Sequence, residues 1–177
     1  MGLCTSHPFT NDGTKTDLVT MNKTSCQVTF SATDQSSGFA VDVAAAIGSG
    51  VALEGTNSRA ANGTYGYPYI ILGKAFTVNV SILGSDTKTY TGKSDGTVVS
   101  NGTTSDLVDN LTNFGGGECV SGYVGATIPI GTIDAFLTNA GLERSHHTEF
   151  TNPVCDKNGK LVGVINLTNP VNITANT

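Results

Sequence analysis

Apolar and polar residues alternate along several short stretches of the chain, and this pattern predicts β-strands. It is clearest in residues 25–33 and 75–83, where every second residue is apolar. A period of two places the apolar side chains on one face of a strand. Gly73 and Lys74 form a connection of turn length between residues 67–72 and 75–83, so we expect these two strands to pair as an antiparallel hairpin.

Further strands are expected towards the C-terminus. Residues 87–100 resemble a second hairpin, turning at 94–96, and their polar character favours an edge position. Residues 118–130 predict a strand interrupted by glycines, and residues 161–167 and 171–174 predict two strands rich in β-branched residues.

Two other segments have helix signals. In residues 105–114, Ser105 and Asp106 could cap a short helix, and Gly141 closes a second candidate at residues 132–140. Residues 39–53 are apolar without a decisive period. We favour strand there, with helix as the alternative, because the glycines at 48 and 50 would break a helix that the preceding alanines favour.

Short strands separated by Gly, Asn and Asp turns, without regular strand–helix alternation, predict a mainly β fold. We expect an antiparallel β-sandwich or barrel-like domain with one or two short helices. Residues 1–24 are expected to form an extended N-terminal arm, and residues 25–177 a single β-rich domain. The whole chain has 177 residues, which suits one such domain.

The composition favours an extracellular protein. Only 13% of the residues are charged, whereas Thr, Asn and Ser number 26, 15 and 14. The net charge of -5 and the lack of a basic cluster argue against nucleic acid as a partner. No apolar stretch is long enough for a membrane-spanning helix. Residues 1–9 lack signal-peptide features, so we expect either a mature extracellular chain or a virion protein assembled inside a cell.

Four widely spaced cysteines, Cys4, Cys26, Cys119 and Cys155, predict two disulfides, because no CxxC pair suggests a metal or redox site. Joining Cys4 to Cys26 and Cys119 to Cys155 closes the shortest loops, although the other connectivities stay open. Four buried free thiols are the alternative.

Seven N-x-[ST] sequons make the chain a candidate glycoprotein, at Asn22, Asn62, Asn79, Asn101, Asn110, Asn166 and Asn172. The Asn, Ser and Thr content alone would produce about three or four of them. Ordinary turn chemistry is therefore the preferred explanation for these motifs.

No catalytic or metal site is expected, and hence no cofactor. His146 and His147 lie among acidic residues, but neighbouring residues of a helix or strand point in different directions and would not chelate one ion together. In a loop, either histidine could still bind an ion with Glu143, Glu149 or Asp156, and a solvated polar turn is the preferred interpretation. Ser121 and Ser145 lack the strained turn of a catalytic serine, and His7 lies in the arm. We therefore expect a protein that is not an enzyme.

A sugar site usually needs an exposed aromatic platform with amides beside it. Tyr65, Tyr67 and Tyr69 alternate along the chain close to Asn62, so these four residues are the candidate ligand contacts.

The chain ends suggest how the protein could assemble. The apolar residues in 161–173 would complete the chain's own sheet, or else add a strand to a neighbouring copy, as the arm could also do. Strand contacts that do not close on themselves produce filaments. We expect a structural subunit of an extracellular filament, pilus or surface adhesin, with copies of itself and cell-surface glycans as partners. A virion capsid or fibre protein and a secreted carbohydrate-binding module are the alternatives.

Overall fold

The structure, a computed structural model, describes residues 1–9, 18–34, 40–42, 48, 50–79, 81–92, 98–100, 106–115, 119, 122–145 and 154–177. These residues form seventeen strands: β1 (Gly2–Cys4), β2 (Leu18–Thr20), β3 (Cys26–Val28), β4 (Phe30–Ala32), β5 (Gly55–Asn57), β6 (Gly63–Tyr65), β7 (Tyr67–Gly73), β8 (Ala75–Val78), β9 (Ser81–Leu83), β10 (Thr89–Gly92), β11 (Val98–Ser100), β12 (Leu107–Asn110), β13 (Tyr123–Ile128), β14 (Gly131–Thr138), β15 (Glu143–Ser145), β16 (Lys160–Leu167) and β17 (Val171–Ile173).

The largest element is a six-stranded sheet with the order β13-β14-β16-β7-β1-β3. Every neighbouring pair in it is antiparallel. The other strands form smaller sheets. There are four two-stranded ribbons, β8–β12, β2–β15, β6–β17 and β4–β5, and one three-stranded sheet, β9–β10–β11. The predicted β-rich, antiparallel class is confirmed, whereas a sandwich or barrel arrangement stays a prediction.

One face of the six-stranded sheet, here called the core face, carries the buried cluster. Cys4, Tyr69, Phe136, Val162 and Val164 lie on it, and they pack with side chains from the N-terminal segment and β2, namely Phe9, Val19 and Met21. These strand residues share one face because residues that pair across neighbouring strands point to the same side of the sheet. The opposite face is called the outer face below.

The hairpin between β13 and β14 depends on a glycine. Gly131 follows the two-residue turn Pro129–Ile130 and has a φ of 150°, a conformation that favours glycine. A Cβ at this position would overlap the carbonyl oxygen of Asn166 on β16. A side chain at residue 131 would therefore prevent the close pairing of β14 with β16.

The expected hairpin between residues 67–72 and 75–83 is wrong. β7 pairs with β1 and β16, whereas β8 pairs with β12. Lys74, expected in a tight turn, is buried, and its Nζ donates hydrogen bonds to the carbonyl oxygens of Val154 and Asp156. The lysine thus ties the end of β7 to a distant turn, and this attachment separates β7 from β8.

Both expected helices are also wrong. Leu107–Asn110 and Gly131–Thr138 are the strands β12 and β14. Among the described residues, helical conformation is limited to residues 154–155. Cross-strand pairing outweighs the local capping signals, because β12 pairs with β8 and β14 pairs on both sides. The alternation of Ile133, Ala135 and Leu137 was the correct signal for β14.

Other strand predictions are confirmed. The predicted hairpin in residues 87–100 is the antiparallel pair β10–β11, whose turn lies outside the described residues. Residues 25–33, expected as one strand, form two: β3 lies in the six-stranded sheet and β4 pairs with β5. The two predicted C-terminal strands are β16 and β17.

Two sequence predictions concern residues 39–53 and the N-terminal arm. In residues 39–53, the described positions 40–42, 48 and 50–53 lie in neither strand nor helix, and the rest lie outside the described residues. The boundary at residue 24 stays a prediction, although the expected arm supplies β1 to the large sheet and β2 to the β2–β15 ribbon.

Candidate functional site

A polar cluster lies at one rim of the core face, where β13 forms the edge of the six-stranded sheet. Tyr123 on β13 stands opposite Phe136 on β14, and Gly125 stands opposite Asp134. Register therefore places all four residues on the core-face side, and the segment after β1 brings His7 to the same place.

The ring of Tyr123 lies along the sheet instead of standing away from it. A Cβ on Gly125 would come within 2.6 Å of the Tyr123 hydroxyl, so the phenol tip covers this glycine. The hydroxyl donates a 2.7 Å hydrogen bond to Oδ1 of Asp134. Phe136 supports the ring, with centroids 5.3 Å apart and planes inclined by 32°. The side chain is nevertheless 52% exposed, so the ring also meets solvent.

The hydrogen bond to Asp134 also changes the acidity of the phenol. It raises the pKa of Tyr123, and burial and the negative charge of the carboxylate add to this effect, whereas the charge of Arg144 opposes it. A neutral phenol donates to the carboxylate, and a phenolate would be repelled by it. The hydrogen bond thus favours the protonated phenol, which is the form that donates to Asp134.

His7 meets the other oxygen of the same carboxylate. Its Nε2 lies 3.5 Å from Oδ2 of Asp134. On the other side of the ring, Nδ1 lies 2.8 Å from the carbonyl oxygen of Phe9 and 3.1 Å from its amide nitrogen. The imidazole also makes an edge-on contact with Tyr67, at 5.6 Å between centroids. Its plane is thereby fixed with Nε2 directed at Asp134.

The floor behind this cluster is aromatic and cationic. Phe9 packs on Phe136 at a centroid distance of 4.7 Å. The guanidinium of Arg144 lies over both rings, 4.8 Å from the centroid of Phe136 and 5.6 Å from that of Phe9. Arg144 is buried, so these contacts form in a desolvated setting, where cation–π attraction is strongest.

An open groove runs along β13 and β14 beside the cluster. It is lined by Tyr123, Gly125, Ala126, Thr127, Thr132, Ile133 and Asp134. The groove therefore offers a ring face, a carboxylate and two hydroxyls that are open to solvent. Among the described residues, no three His, Cys, Asp or Glu side chains are grouped as a metal site requires.

The outer face of the large sheet is a second candidate surface. Apolar side chains from five strands share it: Leu3, Ile70, Leu72, Val124, Ala126, Ile128, Ile133, Ala135, Leu137, Leu161, Ile165 and Leu167. None of the strand residues that the structure describes on this face is charged. Most are exposed or half-buried, whereas Leu137 is fully buried close to Val154.

The central strands are thus apolar on both sides. In β16, Val162 and Val164 are buried in the core, and Leu161, Ile165 and Leu167 point to the outer face. Strands that are apolar on both faces are typical of sheets covered on both faces. The outer face therefore has the composition of a contact surface.

The candidate tyrosines are not an exposed platform. Tyr65 and Tyr69 are buried, and the Tyr65 hydroxyl donates to the carbonyl oxygen of Ala61. Burial also raises the pKa of Tyr69. Tyr67 is half-buried against His7, and the side-chain oxygen of Asn62 accepts a hydrogen bond from Arg59. The expectation of an exposed row is wrong for Tyr65 and Tyr69, and ligand contact by Tyr67 and Asn62 stays a prediction.

The sequons occupy varied surroundings. Asn22, Asn62, Asn79, Asn166 and Asn172 are exposed, Asn110 is half-buried, and Asn101 lies outside the described residues. The side-chain oxygen of Asn22 accepts hydrogen bonds from the amide and hydroxyl of Thr24, which is local turn chemistry. Glycosylation of these residues stays a prediction.

The structure contains two disulfides, Cys4–Cys26 and Cys119–Cys155, which is the pairing expected from loop length. Cys4 and Cys26 face each other across β1 and β3. His146, His147 and Ser121 lie outside the described residues, and what the sequence predicts of them stays a prediction.

Comparison with known proteins gives no relative: no protein-family model, no curated protein and no solved structure matches the chain. Within the part of the chain that the structure describes, no helix is long and apolar enough to cross a membrane.

Sequence reasoning missed the polar cluster because its members are far apart in the chain. His7, Tyr123 and Asp134 come from three segments and meet only through the pairing of β13 with β14 and the position of the N-terminal segment. The available signal was local: Tyr123 and Gly125 are separated by one residue, the spacing at which a tyrosine covers a glycine on the same strand face.

Proposed function

We propose that this chain is a structural subunit of an extracellular filament or adhesive surface assembly, and that copies associate through contacts of their β-sheets. The outer face of the six-stranded sheet is the proposed contact surface. A second copy is the occupant that fits, because the face is apolar and carries no charge among its described residues, so it can pack against the same face of another copy. Such a contact joins copies in pairs, and growth into a filament requires a second contact elsewhere on the subunit.

The observation that carries the proposal is the apolar character of the outer face. Burying apolar surface contributes about 25 cal/mol per Å², which makes an extensive apolar face a strong association surface.

The two disulfides support an extracellular location. Disulfides persist in oxidising compartments and are rare in the cytosol. A sparsely charged surface rich in Thr, Asn and Ser agrees with this location.

Lateral contact suits this chain better than exchange of its terminal strands. β1 lies between β7 and β3, and β16 lies between β14 and β7, so both already complete the chain's own sheet. β17 likewise pairs with β6. The proposed assembly therefore requires no strand to leave its own subunit.

The test compares assembly of the wild type with charged variants of the outer face. Leu72 and Val124 are both 42% exposed there, and each is replaced in turn, as Leu72→Lys and Val124→Lys. Val171→Lys is the matched control, since Val171 is 39% exposed on β17, outside this sheet. Light scattering during size-exclusion chromatography, combined with negative-stain microscopy, measures the assembly.

We expect dimers or larger assemblies from the wild type and the control, and at least a tenfold higher concentration for assembly of the two outer-face variants, which corresponds to about 1.4 kcal/mol. Closed shells would favour the virion alternative. A wild-type monomer at all concentrations, or equal assembly of all variants, would contradict the proposal.

A further inference from the structure

We propose that the groove beside Tyr123 and Asp134 binds a neutral sugar, with the exposed face of the Tyr123 ring as its stacking platform. The site uses the side chains of Tyr123, Asp134 and two threonines on the core-face side of the sheet rim, whereas the proposed assembly surface is the outer face. The site therefore stands independently of the proposed function, and the two can fail separately.

The first argument is the fixed orientation of the aromatic ring. The Tyr123 ring is held at three points: its tip covers Gly125, its hydroxyl bonds to Asp134, and one side packs on Phe136. About half of the side chain still meets solvent. A ring already held flat loses little conformational entropy on binding, and it offers an apolar surface to the C–H groups of a pyranose.

The second argument is the set of polar groups around that ring. Asp134 supplies carboxylate oxygens that accept hydrogen bonds from sugar hydroxyls, and Thr127 and Thr132 supply hydroxyls that can donate or accept. Both threonines are exposed and face each other across β13 and β14. His7 adds an imidazole edge at the same carboxylate. Hydroxyl-rich ligands need this mixture of acceptors and donors around one apolar ring face.

Other ligand classes fit the groove less well. An anion would meet the charge of Asp134, and no lysine or arginine is among the lining residues. The guanidinium of Arg144 is engaged with Phe136 and Phe9 below the surface. A metal ion would find fewer than three ligating side chains among the described residues. A neutral polyol is the class that these lining residues favour.

The hairpin β9–β10 provides an internal control. Tyr90 there covers Gly84 and donates a 2.7 Å hydrogen bond to Asp86. The local Tyr–Gly–Asp arrangement is thus repeated. No ring contact of Tyr90 with another aromatic side chain is found among the described residues, whereas Tyr123 has Phe136 behind it. If an anchored tyrosine were sufficient for sugar binding, both Tyr90 and Tyr123 would bind the sugar. We expect binding only at the Tyr123 groove.

The experiment is saturation-transfer NMR with millimolar methyl glycosides of glucose, galactose, mannose and N-acetylglucosamine, using the full disulfide-bonded chain. At least one glycoside should receive saturation from the wild type and from Tyr90→Ala. Tyr123→Ala should abolish the transfer, and Asp134→Ala should weaken binding about tenfold, the effect of losing roughly 1.4 kcal/mol of hydrogen bonding.

Tyr123→Phe keeps the ring but removes the anchor, so it should bind more weakly than wild type and more tightly than Tyr123→Ala. Circular dichroism of each variant shows whether it is folded, and Tyr123→Phe preserves the test if Tyr123→Ala does not fold. No transfer from wild-type protein to any of the four glycosides would overturn the proposal. Equal transfer from wild type and the folded Tyr123 variants would also overturn it.

Discussion

The ammonium group of Lys74 donates a 2.9 Å hydrogen bond to the carbonyl oxygen of Val154, although 80 residues separate them in the chain. Lys74 is only 2% exposed, and it also bonds to the carbonyl oxygen of Asp156 at 3.3 Å. The Asp156 carboxylate in turn accepts hydrogen bonds from the amides of Ala140 and Asn158. One lysine and one aspartate thus hold together the end of β7, the turn after β14 and the turn before β16.

Stability should rise with pH because of Lys74. Burial lowers its pKa from 10.5 to about 8, an effect that the charge of Asp156 partly opposes. Above pH 8 the folded chain loses this proton before the unfolded chain does, so the unfolded state binds more protons and the free energy of unfolding increases. Below pH 8 both states are protonated, and Lys74 contributes no slope.

Urea unfolding at a series of pH values from 7 to 9.5 measures this effect. The range ends below 10 because tyrosines with raised pKa values, such as Tyr69, would lower the stability again at higher pH. Lys74→Met should remove the rise, and Lys157→Met, at an exposed lysine of the same turn, should keep it. A rise that persists in Lys74→Met would assign the effect to another group.

The two disulfides should differ in their contribution to stability, in the opposite order to their loop lengths. Chain entropy alone predicts about 3 to 4 kcal/mol for each, slightly more for the longer loop of Cys119–Cys155. Cys4, however, is fully buried in the core cluster, with Cys26 packed against it. Replacing Cys4 and Cys26 by alanine should therefore destabilise the chain more than replacing Cys119 and Cys155. Urea unfolding of the two double variants gives the comparison, and the reverse order would show that loop entropy dominates.

The acidity of Tyr123 should depend on Asp134. Because the hydrogen bond to this carboxylate is the largest cause of the raised pKa, Asp134→Asn should lower the pKa of Tyr123 towards its ordinary value of 10.0. NMR titration of tyrosine labelled with ¹³C in the ring follows each phenol separately. The raised pKa of Tyr90, whose partner is Asp86, should not change and serves as the control. An unchanged Tyr123 pKa in Asp134→Asn would mean that the hydrogen bond does not form in solution.

Sequence patterns predicted the strands that local signals identify without knowledge of their pairing partners. β16 and the β10–β11 pair follow from alternation and turn chemistry, since these signals are local. The pairing of β7 could not be predicted in the same way. Its partners β1 and β16 are far from it in the chain, and the burial of Lys74 in place of a turn depends on Val154.

The candidate site was less predictable than the fold. An alternation of tyrosines in residues 65–69 reads as one exposed face, but the chain passes from β6 to β7 at Gly66, and burial of Tyr65 and Tyr69 follows from different partners. Exposure is set by what covers a strand face, and the sequence of that strand does not contain this information.

The close pairing of β14 with β16 should make Gly131 one of the least replaceable residues of the sheet. Gly131→Ala would combine a left-handed backbone with a Cβ that overlaps the carbonyl oxygen of Asn166, so we expect a loss of at least about 2 kcal/mol of stability. Gly73→Ala is the matched control. Gly73 ends β7 in the same sheet, and a Cβ there would meet no atom within 4 Å, so its effect should stay within about 0.5 kcal/mol. Urea unfolding of both variants tests the difference, and equal effects would mean that β14 and β16 are not held at this distance. The hairpin that Gly131 permits also carries Tyr123 and Asp134, so a folded Gly131→Ala variant should lose sugar binding as well.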